Sequence, residues 1–504
     1  MKTLLVSLLV ATLAIAGCFS STDSLAPAGA EQDAPALGNA THVLANAVEP
    51  AGLEALGFEL LGAVSTGGPV YGLGEPSIWA HLDGTIYLAF PGCEGVGSFV
   101  VDVPGQPQCG HGQVYKSTDD GKTWELLNRA DRGRLTEDGP DANGDADVAV
   151  DSAGTVYVIN LYSGITFHRS TDGGATWQYM ANIVPEEHWA DRQWIAASHP
   201  GHAIVTWMGG ATGEDRQVAI TTTWDGGENF TNVTYLGENI GWLGTVQFDT
   251  SGTRAFIPFT QAETSNEIMG LAPAGANTFR LYVARTLDGG LTWDVVDTKA
   301  TVAATSGITG QWSGVLMAPA LDVTGDGHVL YVYSEEVPAP TGVVGTYAAV
   351  KVVASPDWGG NWTEPQVLST APVAIMPWVT GGAGDRFAVT WFQSPVPLAH
   401  DYAGKWDVAA AIVDGLADGK LHVKESIVDT NIHLGGLCTR GGACLITGAD
   451  RALLDFFESD LMPDGRLVLT YPADPPQGGK RIEIRTAIQN AGSLLLEPPA
   501  TTTG

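Results

Sequence analysis

Basic residues are scarce in this sequence. It has 24 Lys and Arg against 56 Asp and Glu, which gives a formal net charge of −32. A nucleic-acid-binding surface needs clustered Lys and Arg to neutralise phosphates, so this balance excludes nucleic acid as a partner. The acidity suits a calcium site or a salty environment. A solvated acidic surface without a specific partner accounts for it as well.

Long apolar runs and extended helical periodicity are also missing. No segment after the first twenty residues has 18 uninterrupted apolar residues, the length that a membrane-spanning helix requires. The chain instead contains 64 Gly, 15 Trp and many short alternating apolar runs. This combination predicts an all-β fold with many turns.

The N-terminal segment has the features of an export signal. Met1-Lys2 gives a short positive start, and Thr3 to Ala16 forms an apolar run of signal-peptide length. The sequence that ends at Cys18 resembles the lipobox of prokaryotic lipoproteins. This resemblance implies a signal peptide over residues 1–18 and a lipid on Cys18, hence an exported protein anchored to the outer face of the cell membrane or envelope. An ordinary cleaved signal with a chance cysteine is the alternative.

Composition divides the remaining chain into three parts. Residues 19–55 are rich in Ala, Ser, Pro, Gly and Asp, and they predict a flexible tether. Residues 56–492 contain the regular strand pattern, and residues 493–504 predict a disordered tail.

Five cysteines occur in the chain, and four remain after Cys18. An even number outside the cytoplasm indicates two disulfides, and sequence proximity favours Cys93–Cys109 and Cys438–Cys444. Zinc is the weaker alternative, because no CxxC or HExxH spacing occurs.

One motif, S/T-x-D-x-G-x-T/N-W/F, recurs five times between residues 117 and 362. Its aspartates are Asp119, Asp172, Asp225, Asp288 and Asp357. The motif predicts a tight hairpin, because Asp accepts hydrogen bonds from turn amides, Gly tolerates positive φ, and the aromatic ring packs on the sheet. We therefore assign these aspartates structural roles.

A second pattern, a turn followed by an alternating strand, occurs seven times. Examples begin at Asp83, Asp151 and Asp326. Each unit predicts four short strands, which form one blade of a β-propeller. We expect seven four-stranded blades. Six is the alternative, if Phe58–Val64 joins the C-terminal strands in one closing blade and another unit is degenerate.

The five motifs resemble the Asp-box (BNR) repeats of the sialidase superfamily, and this resemblance covers residues 75–365 well. It implies a sialidase-like propeller in which the boxes lie on the face opposite the active site. The same repeats occur in glycosidases, sorting receptors and binding proteins, so the resemblance specifies the fold more than the function.

Catalytic sialidases have three further features that find no counterpart here. They hold the substrate carboxylate with three arginines, and they use a Tyr–Glu nucleophile with an Asp acid/base. Glu75 stands near the position of the first arginine, where it would repel a carboxylate ligand. The segments around Trp242 and Trp312 contain no Arg, and the segment around Trp378 has no evident Tyr. These departures argue against sialidase chemistry.

Inner strands of a propeller begin at the face that binds ligands, so their first residues point at the central mouth. Acidic residues alternate with Trp at these positions. The ligand-binding candidates are Arg192, Trp194, Trp242, Trp312 and Trp378. Indole faces suit the CH-rich faces of neutral sugars. The alternatives are Trp packing between blades and an inward Asp191–Arg192 ion pair that holds a loop.

Two carboxylates across a mouth could act as acid and base in glycoside cleavage. The candidates are Glu75, Asp147, Asp191 and Glu458. A calcium loop is also indicated, because Asp141, Asn143, Asp145 and Asp147 place oxygen side chains at every second position. A polar turn before a strand is the alternative, since the closing Glu of an EF-hand is missing.

Together these patterns favour a monomeric cell-surface protein that binds a glycan or glycoprotein, supported by calcium and anchored only by its lipid. A glycoside hydrolase that uses the mouth carboxylates is the alternative. A non-catalytic scaffold of the cell envelope is the second alternative.

Overall fold

A computed structural model describes the chain in segments. These are residues 53–66, 74–92, 111–127, 145–162, 164–211, 216–262, 277–304, 319–338, 347–396, 404–416, 419–435, 452–453, 455–476 and 482–496. Within these segments the chain forms 29 β-strands and no α-helix. Consequently, no helix with the length and hydropathy of a membrane span occurs in them. The predicted all-β class is confirmed.

Five sheets are separate blades with four-stranded antiparallel paths. The first strand, β1 (Gly57–Thr66), belongs to the last of them. Blade 1 contains β2 (Ser77–Ala80), β3 (Ile86–Gly92), β4 (His111–Ser117) and β5 (Glu125–Leu126). Blade 2 contains β6 (Ala146–Val150), β7 (Val156–Tyr162), β8 (Gly164–Ser170) and β9 (Gln178–Asn182). Blade 3 contains β10 (Trp189–Ala197), β11 (Ala203–Gly210), β12 (Gln217–Thr223) and β13 (Thr234–Leu236).

Blade 4 has an additional short strand. It contains β14 (Ile240–Leu243), β15 (Gln247–Phe248), β16 (Ala255–Ala262), β17 (Asn277–Thr286) and β18 (Asp294–Ala304), and both β14 and β15 pair with β16.

The next eight strands form one continuous sheet, which we call the double sheet. Its strands are β19 (Ala320–Val323), β20 (Val329–Val337), β21 (Tyr347–Ser355), β22 (Gln366–Val367), β23 (Val373–Gly381), β24 (Phe387–Ser394), β25 (Gly404–Asp414) and β26 (His422–Gly435). One parallel pair, Ala348 with Val373, joins two four-stranded meanders.

The closing blade joins the two ends of the described chain. It contains β27 (Glu458–Leu461), β28 (Leu467–Ala473) and β29 (Glu483–Ala491), with β1 as its outermost strand. Gly57 lies opposite Ala491 in this pairing. The first and last strands of the described fold therefore hold the ring closed.

The predicted propeller is present, but its predicted blade count is wrong. Five four-stranded blades are separate, and the remaining strands share the double sheet. Neither seven nor six separate blades result. The physical reason is the pairing of Ala348 with Val373, which joins two strand units by a contact between residues distant in sequence.

The folded body also extends past both predicted boundaries. Leu53 is buried before residue 56, and Leu495 is fully buried inside the predicted tail. Ser493 donates its backbone N–H to the carbonyl of Glu54, at 3.5 Å. Sequence composition did not predict this contact, because it joins two segments that are more than 400 residues apart in sequence.

All five boxes contain the same three hydrogen bonds. Asp Oδ1 accepts the hydroxyl two residues earlier at 2.8–3.0 Å and the backbone N–H four residues later at 2.7–2.9 Å. Its Oδ2 accepts the side chain four residues later at 2.6–2.8 Å. This last bond is the largest cause of the lowered pKa of Asp119, Asp172 and Asp225.

Strand direction separates two faces of the propeller. In an antiparallel meander the turn after the first strand and the turn after the third strand lie on the same side. The boxes occupy the latter turn, so we call this side the box face. The inner strands β2, β6, β10, β14, β19, β23 and β27 begin on the other side, which we call the mouth face.

Buried apolar side chains from adjoining sheets hold the blades together. Between blades 1 and 2, for example, Val114 packs in one cluster with Val148 and Val158. The apolar contacts lie along the strands, whereas polar groups lie at the ends of the inner strands.

Candidate functional site

Five charged side chains converge where inner strands begin at the mouth face. We call them the Arg192 cluster, which comprises Glu75, Asp145, Asp191, Arg192 and Asp455. Glu75 and Asp145 precede β2 and β6, Asp191 and Arg192 lie in β10, and Asp455 lies three residues before β27. The closing blade and blades 1, 2 and 3 therefore each supply part of one site.

Backbone irregularities position these side chains. The pairing of β10 with β11 shifts between Asp191 and Trp194, which marks a β-bulge, and Arg192 within it has φ of 55°. Glu75 has φ of 49°. Non-glycine residues rarely adopt this left-handed region, and bulges redirect side chains. Two residues with strained backbone conformations, Glu75 and Arg192, therefore both belong to the cluster.

Arg192 is the centre of the cluster. Its Nη2 donates to Asp455 Oδ2, and the two side chains are 10% and 1% exposed. Its guanidinium also lies 5.0 Å from the ring centroid of Trp242 on blade 4. Burial would lower the pKa of Arg192, but the carboxylates raise it, Asp455 first and then Glu75, Asp191 and Asp145.

The predicted alternative of an Asp191–Arg192 ion pair is therefore modified. The charge partner that contacts the guanidinium is Asp455, while Asp191 Oδ1 accepts the backbone N–H of Arg192 at 2.9 Å. The sequence pattern did not indicate Asp455, because this residue lies three positions before the first residue of β27.

Glu75 and Asp145 form a hydrogen-bonded carboxyl pair in this cluster. Burial raises the pKa of Asp145, and the negative charges of Asp191 and Asp455 act in the same direction. The hydrogen bond from Glu75 and the charge of Arg192 oppose this rise. Burial is the largest of these influences, so the pKa of Asp145 stays above its ordinary value.

A second arginine completes the site. Arg216 interacts electrostatically with Asp191 and Arg192, and burial lowers its pKa. Its guanidinium lies 5.8 Å from the ring centroid of Trp189, and Nη2 donates to Met208 Sδ at 3.3 Å. Arg216 is therefore turned toward its own blade.

Gln193 reaches from blade 3 to blade 2. Its Nε2 donates to the backbone carbonyl of Asp145 at 2.7 Å, which brings the amide to the cluster. The side chain is buried, with a residue exposure of 4%, and Oε1 has no hydrogen-bond partner. The site thus contains a buried acceptor without a donor, a group that native proteins rarely leave unsatisfied.

An aromatic layer lies beneath the Arg192 cluster. Trp194 packs 4.6 Å from Phe456 and 5.7 Å from Trp378 between ring centroids. All three side chains are buried. Both rings pack between the blades, and Trp378 also lines the cavity beneath this layer. Ligand contact by Trp194 and Trp378 stays a prediction. Trp242 is only partly buried and remains beside the cluster.

Below this layer, a cavity of about 330 Å³ extends to the box face. Its wall contains six carboxyl groups, those of Asp147, Asp151, Asp249, Asp322, Glu458 and Asp460. Burial raises the pKa of Asp147 to about 6 and of Asp322 and Asp460 to about 7, and it raises the pKa of Glu458 well above its ordinary value.

Three of these aspartates make the same inter-strand contact. Each accepts the backbone N–H of the following residue and a backbone N–H of the next inner strand. The second donors are Ile195 for Asp147, Gly381 for Asp322 and Ala80 for Asp460. Glu458 similarly accepts the N–H of Ile78, at 3.0 Å. We call these contacts the carboxyl clasps.

The predicted acid/base candidates therefore separate into two groups. Glu75 and Asp191 belong to the Arg192 cluster, whereas Asp147 and Glu458 line the cavity and hold neighbouring strands. The carboxyl oxygens of Asp147 and Glu458 accept hydrogen bonds that join inner strands, and a catalytic role for the two residues stays a prediction. The repeated Asp-Val or Asp-Leu pair in β6, β19 and β27 was the sequence signal for the clasps.

Only two of the four predicted calcium ligands, Asp145 and Asp147, are among the described residues. Asp141 and Asn143 lie outside the described residues. Asp145 is in the Arg192 cluster, and Asp147 is in a clasp with Ser77, Val148 and Ile195. Calcium binding by these residues stays a prediction. Within the described segments, no group of three or more His, Cys, Asp and Glu is arranged for a metal ion.

Several other predicted sites lie outside the described residues. They are Trp312, Cys18 and the four cysteines Cys93, Cys109, Cys438 and Cys444.

Several solved structures are similar to this chain in the path of the backbone. No family model matches this chain, and no curated protein matches it. Similar solved structures include a protein of unknown function from Dyadobacter fermentans DSM 18053, at 14% identity and a TM-score of 0.43. That match covers 87% of this chain and 98% of the other.

Two further structures belong to proteins that act on glycans according to their names. The polysaccharide lyase Uly1 is 12% identical with a TM-score of 0.46, over 85% of this chain and 91% of the lyase. The intramolecular trans-sialidase from Ruminococcus gnavus is 13% identical with a TM-score of 0.37, over 88% of this chain and 99% of the enzyme. At these levels the similarity says nothing about the chemistry of the Arg192 cluster.

Proposed function

We propose that this protein binds glycan chains at the mouth face, with the Arg192 cluster and Trp242 as the binding site. The observation that supports this proposal is the convergence of charged groups, a buried amide and a partly exposed indole from five blades. Sugars present hydroxyl groups and apolar CH faces together, and such mixed surfaces require polar partners beside an aromatic ring.

The position of Trp242 supports this arrangement. The indole is partly buried and lies beside Arg192, while Asp145 and Asp191 are half-buried nearby. A ring held by a guanidinium has a fixed orientation, so a sugar would stack without a large loss of side-chain freedom.

A glycan array with the purified chain tests the proposal. The variant Trp242→Ala should lose most of the signal, and Trp224→Ala should retain it. Trp224 is the matched control because it is a 44% exposed Trp in the box of blade 3, away from the mouth face. Binding that survives Trp242→Ala, or an array without any signal, contradicts the proposed site.

The same array with a chelator tests the proposed calcium dependence of the segment that precedes Asp145. A loss of signal on chelation supports a calcium-assisted site. An unchanged signal rejects calcium and leaves glycan binding intact.

A glycoside hydrolase is the second candidate, because one observation favours it. Burial raises the pKa of Asp145, whose carboxyl group interacts with those of Glu75 and Asp191. Acid/base cleavage needs two neighbouring carboxyl groups of different pKa. Product analysis by mass spectrometry of the array glycans tests it. Cleavage that Asp145→Asn abolishes would assign an enzyme, and intact glycans would reject one.

We also propose that the protein is exported and held at the outer face of the membrane by a lipid on Cys18. The course of β1 supports this orientation, because the chain enters at Leu53 beside the box face and leaves the mouth face pointing away. Incorporation of a labelled fatty acid into the wild-type chain but not into Cys18→Ser tests the proposal. Equal labelling of both chains would reject it.

A further inference from the structure

The turn between β10 and β11 lies on the box face and contains a serine and two histidines, Ser198, His199 and His202. The backbone N–H of Ser198 donates to the carbonyl of His202 at 3.1 Å, so the two residues stand opposite each other across the turn. Ser198 Oγ lies 2.7 Å from His202 Nδ1. We call this pair the turn dyad. Ser198 and His199 also line the cavity that opens at the box face.

The hydrogen bonds of His202 fix its tautomer. Nε2 lies 2.9 Å from the backbone carbonyl oxygen of Gly289, which can only accept, so Nε2 carries the hydrogen. Burial lowers the pKa of His202, and the charge of His199 acts in the same direction, so the ring is neutral at neutral pH. Nδ1 of a neutral ring with a protonated Nε2 is an acceptor, and Ser198 donates its hydroxyl hydrogen to it. The carbonyl oxygen of Gly252, a second acceptor near this hydroxyl, is more distant at 3.2 Å.

Packing holds the imidazole of His202 in this orientation. The side chain is buried, and the indole of Trp224 stacks on it with 5.7 Å between ring centroids and 6° between ring planes. Phe248 packs edge-on against it at 5.1 Å. An activated serine needs a base within hydrogen-bond reach and a third group that orients the base. His202 and the Gly289 carbonyl supply both.

Space for a substrate carbonyl lies beside Ser198. A Cβ added to Gly252 would lie 3.1 Å from Ser198 Oγ and 3.2 Å from His199 Nε2, so the absence of a side chain leaves a gap that both atoms border. His199 is exposed, and an imidazole N–H at this position can donate to a developing oxyanion. Phe248 and Leu82 belong to the wall of the adjoining cavity and offer apolar surface to an acyl group. The carboxyl clasps in the same wall do not suit a long alkyl chain.

We propose that Ser198 and His202 form a serine-hydrolase site that cleaves carboxylic esters with short acyl chains at the box face. Ser198 Oγ bonds to the ester carbonyl carbon, the C=O electron pair moves to the carbonyl oxygen, and the hydroxyl proton passes to His202 Nδ1. The bond to the alcohol oxygen then breaks, and the alcohol leaves with that proton. Water attacks the acyl-serine by the same steps, which releases the carboxylic acid and restores Ser198.

The turn dyad is separate from the Arg192 cluster. Arg192 lies near the mouth-face end of β10, and Ser198 follows the last residue of that strand. Six residues of extended chain place roughly 20 Å between them. The ester site therefore does not depend on the proposed glycan site, and either proposal can fail without the other.

Hydrolysis of 4-nitrophenyl butyrate by the purified full chain tests the proposal. We expect the wild type to exceed the buffer rate and Ser198→Ala to lower kcat/KM at least about 100-fold. His202→Gln should lower it similarly, because it removes the base. Ser152→Ala is the matched control, since Ser152 lines the same cavity in the corresponding turn of blade 2. Its rate should equal that of the wild type.

A fluorophosphonate probe gives a second readout on the wild-type chain. Ser198 Oγ should bond to phosphorus and displace fluoride, and peptide mass spectrometry should locate the adduct on Ser198. Hydrolysis that persists in Ser198→Ala, an adduct on another residue, or a wild type without hydrolysis and labelling would each overturn the proposal. If His202→Gln fails to fold, Ser198→Ala and the labelled wild-type peptide still decide the question.

Discussion

Asp147→Asn distinguishes a carboxyl clasp from a catalytic group. In the wild-type chain Asp147 Oδ1 accepts Ser77 Oγ and the N–H of Val148, and Oδ2 accepts the N–H of Ile195 at 2.8 Å. The asparagine oxygen can keep the first pair of bonds. Its amide group then faces the N–H of Ile195, which loses its acceptor in a buried position. An unsatisfied buried N–H costs about 1–3 kcal/mol.

The same substitution removes a buried charge. Burial raises the pKa of Asp147 from its usual 3.8 to about 6, so the folded state binds this proton more tightly than the unfolded state. Stability therefore falls as pH rises from about 4 to about 6, and the rise in pKa corresponds to about 3 kcal/mol. Because Glu458 interacts electrostatically with Asp147, the two groups titrate as a pair over this window.

These two effects give the variant a distinctive pH dependence. Near pH 4 we expect Asp147→Asn to be about 2 kcal/mol less stable than the wild type, from the lost acceptor. Above about pH 6 that deficit should disappear, because the wild type then carries the buried charge and the variant does not. Glycan affinity at the mouth face should stay within about twofold, since the residue lies below the aromatic layer.

Urea unfolding followed by Trp fluorescence between about pH 4 and pH 8 measures this difference. Asp326→Asn is the matched control, because Asp326 is exposed in a turn of the double sheet; its stability difference should be near zero at every pH. A stability difference for Asp147→Asn that is constant, or that increases with pH, would refute the reasoning. Loss of glycan binding in a folded variant would return Asp147 to the binding site.

Three other substitutions test separate parts of the structure. Trp242→Ala should weaken glycan binding about threefold to tenfold in calorimetry without changing the unfolding midpoint, because its ring is only partly buried; a shift of the midpoint would contradict this. Arg192→Met should lower the free energy of unfolding by about 3–5 kcal/mol in urea titration, because it removes the guanidinium beside Asp455, which is 1% exposed; an unchanged stability would refute the buried ion pair. Gly244→Ala should destabilise the contact between blade 4 and the double sheet by about 1–3 kcal/mol or more, because a Cβ would lie 1.8 Å from the carbonyl oxygen of Pro319; a normal melting temperature would show that this contact is loose.

Local chemistry made the repeating units predictable from sequence. The hairpin of each box is formed by residues within eight positions, and the hydrogen bonds of Asp119 all lie within four residues. Strand alternation is equally local, so all-β blades followed from the pattern. The number of separate blades did not, because the link between Ala348 and Val373 depends on how two meanders pack.

The mouth residues show why the site needed the tertiary structure. Their positions near the beginning of inner strands predicted that Arg192, Trp194 and Trp242 lie together at the mouth. The bulge after Asp191, however, changes the side-chain alternation of β10. Arg192 consequently stays at the mouth face while Trp194 enters the aromatic layer. Side chains alternate between the two faces of a regular strand, and one inserted residue moves all following side chains to the opposite face.

The sequence by itself determined the propeller, its box hairpins and the acidic character of its mouth, because these depend on local pattern and composition. Only the tertiary structure decided which carboxyl groups gather in the Arg192 cluster and which join inner strands. Asp145 and Asp147 are two residues apart, yet one joins Glu75 near Arg192 and the other holds Ile195 in the next blade. Their environments come from segments tens to hundreds of residues away, and burial and neighbouring charge set the chemistry of a carboxyl group.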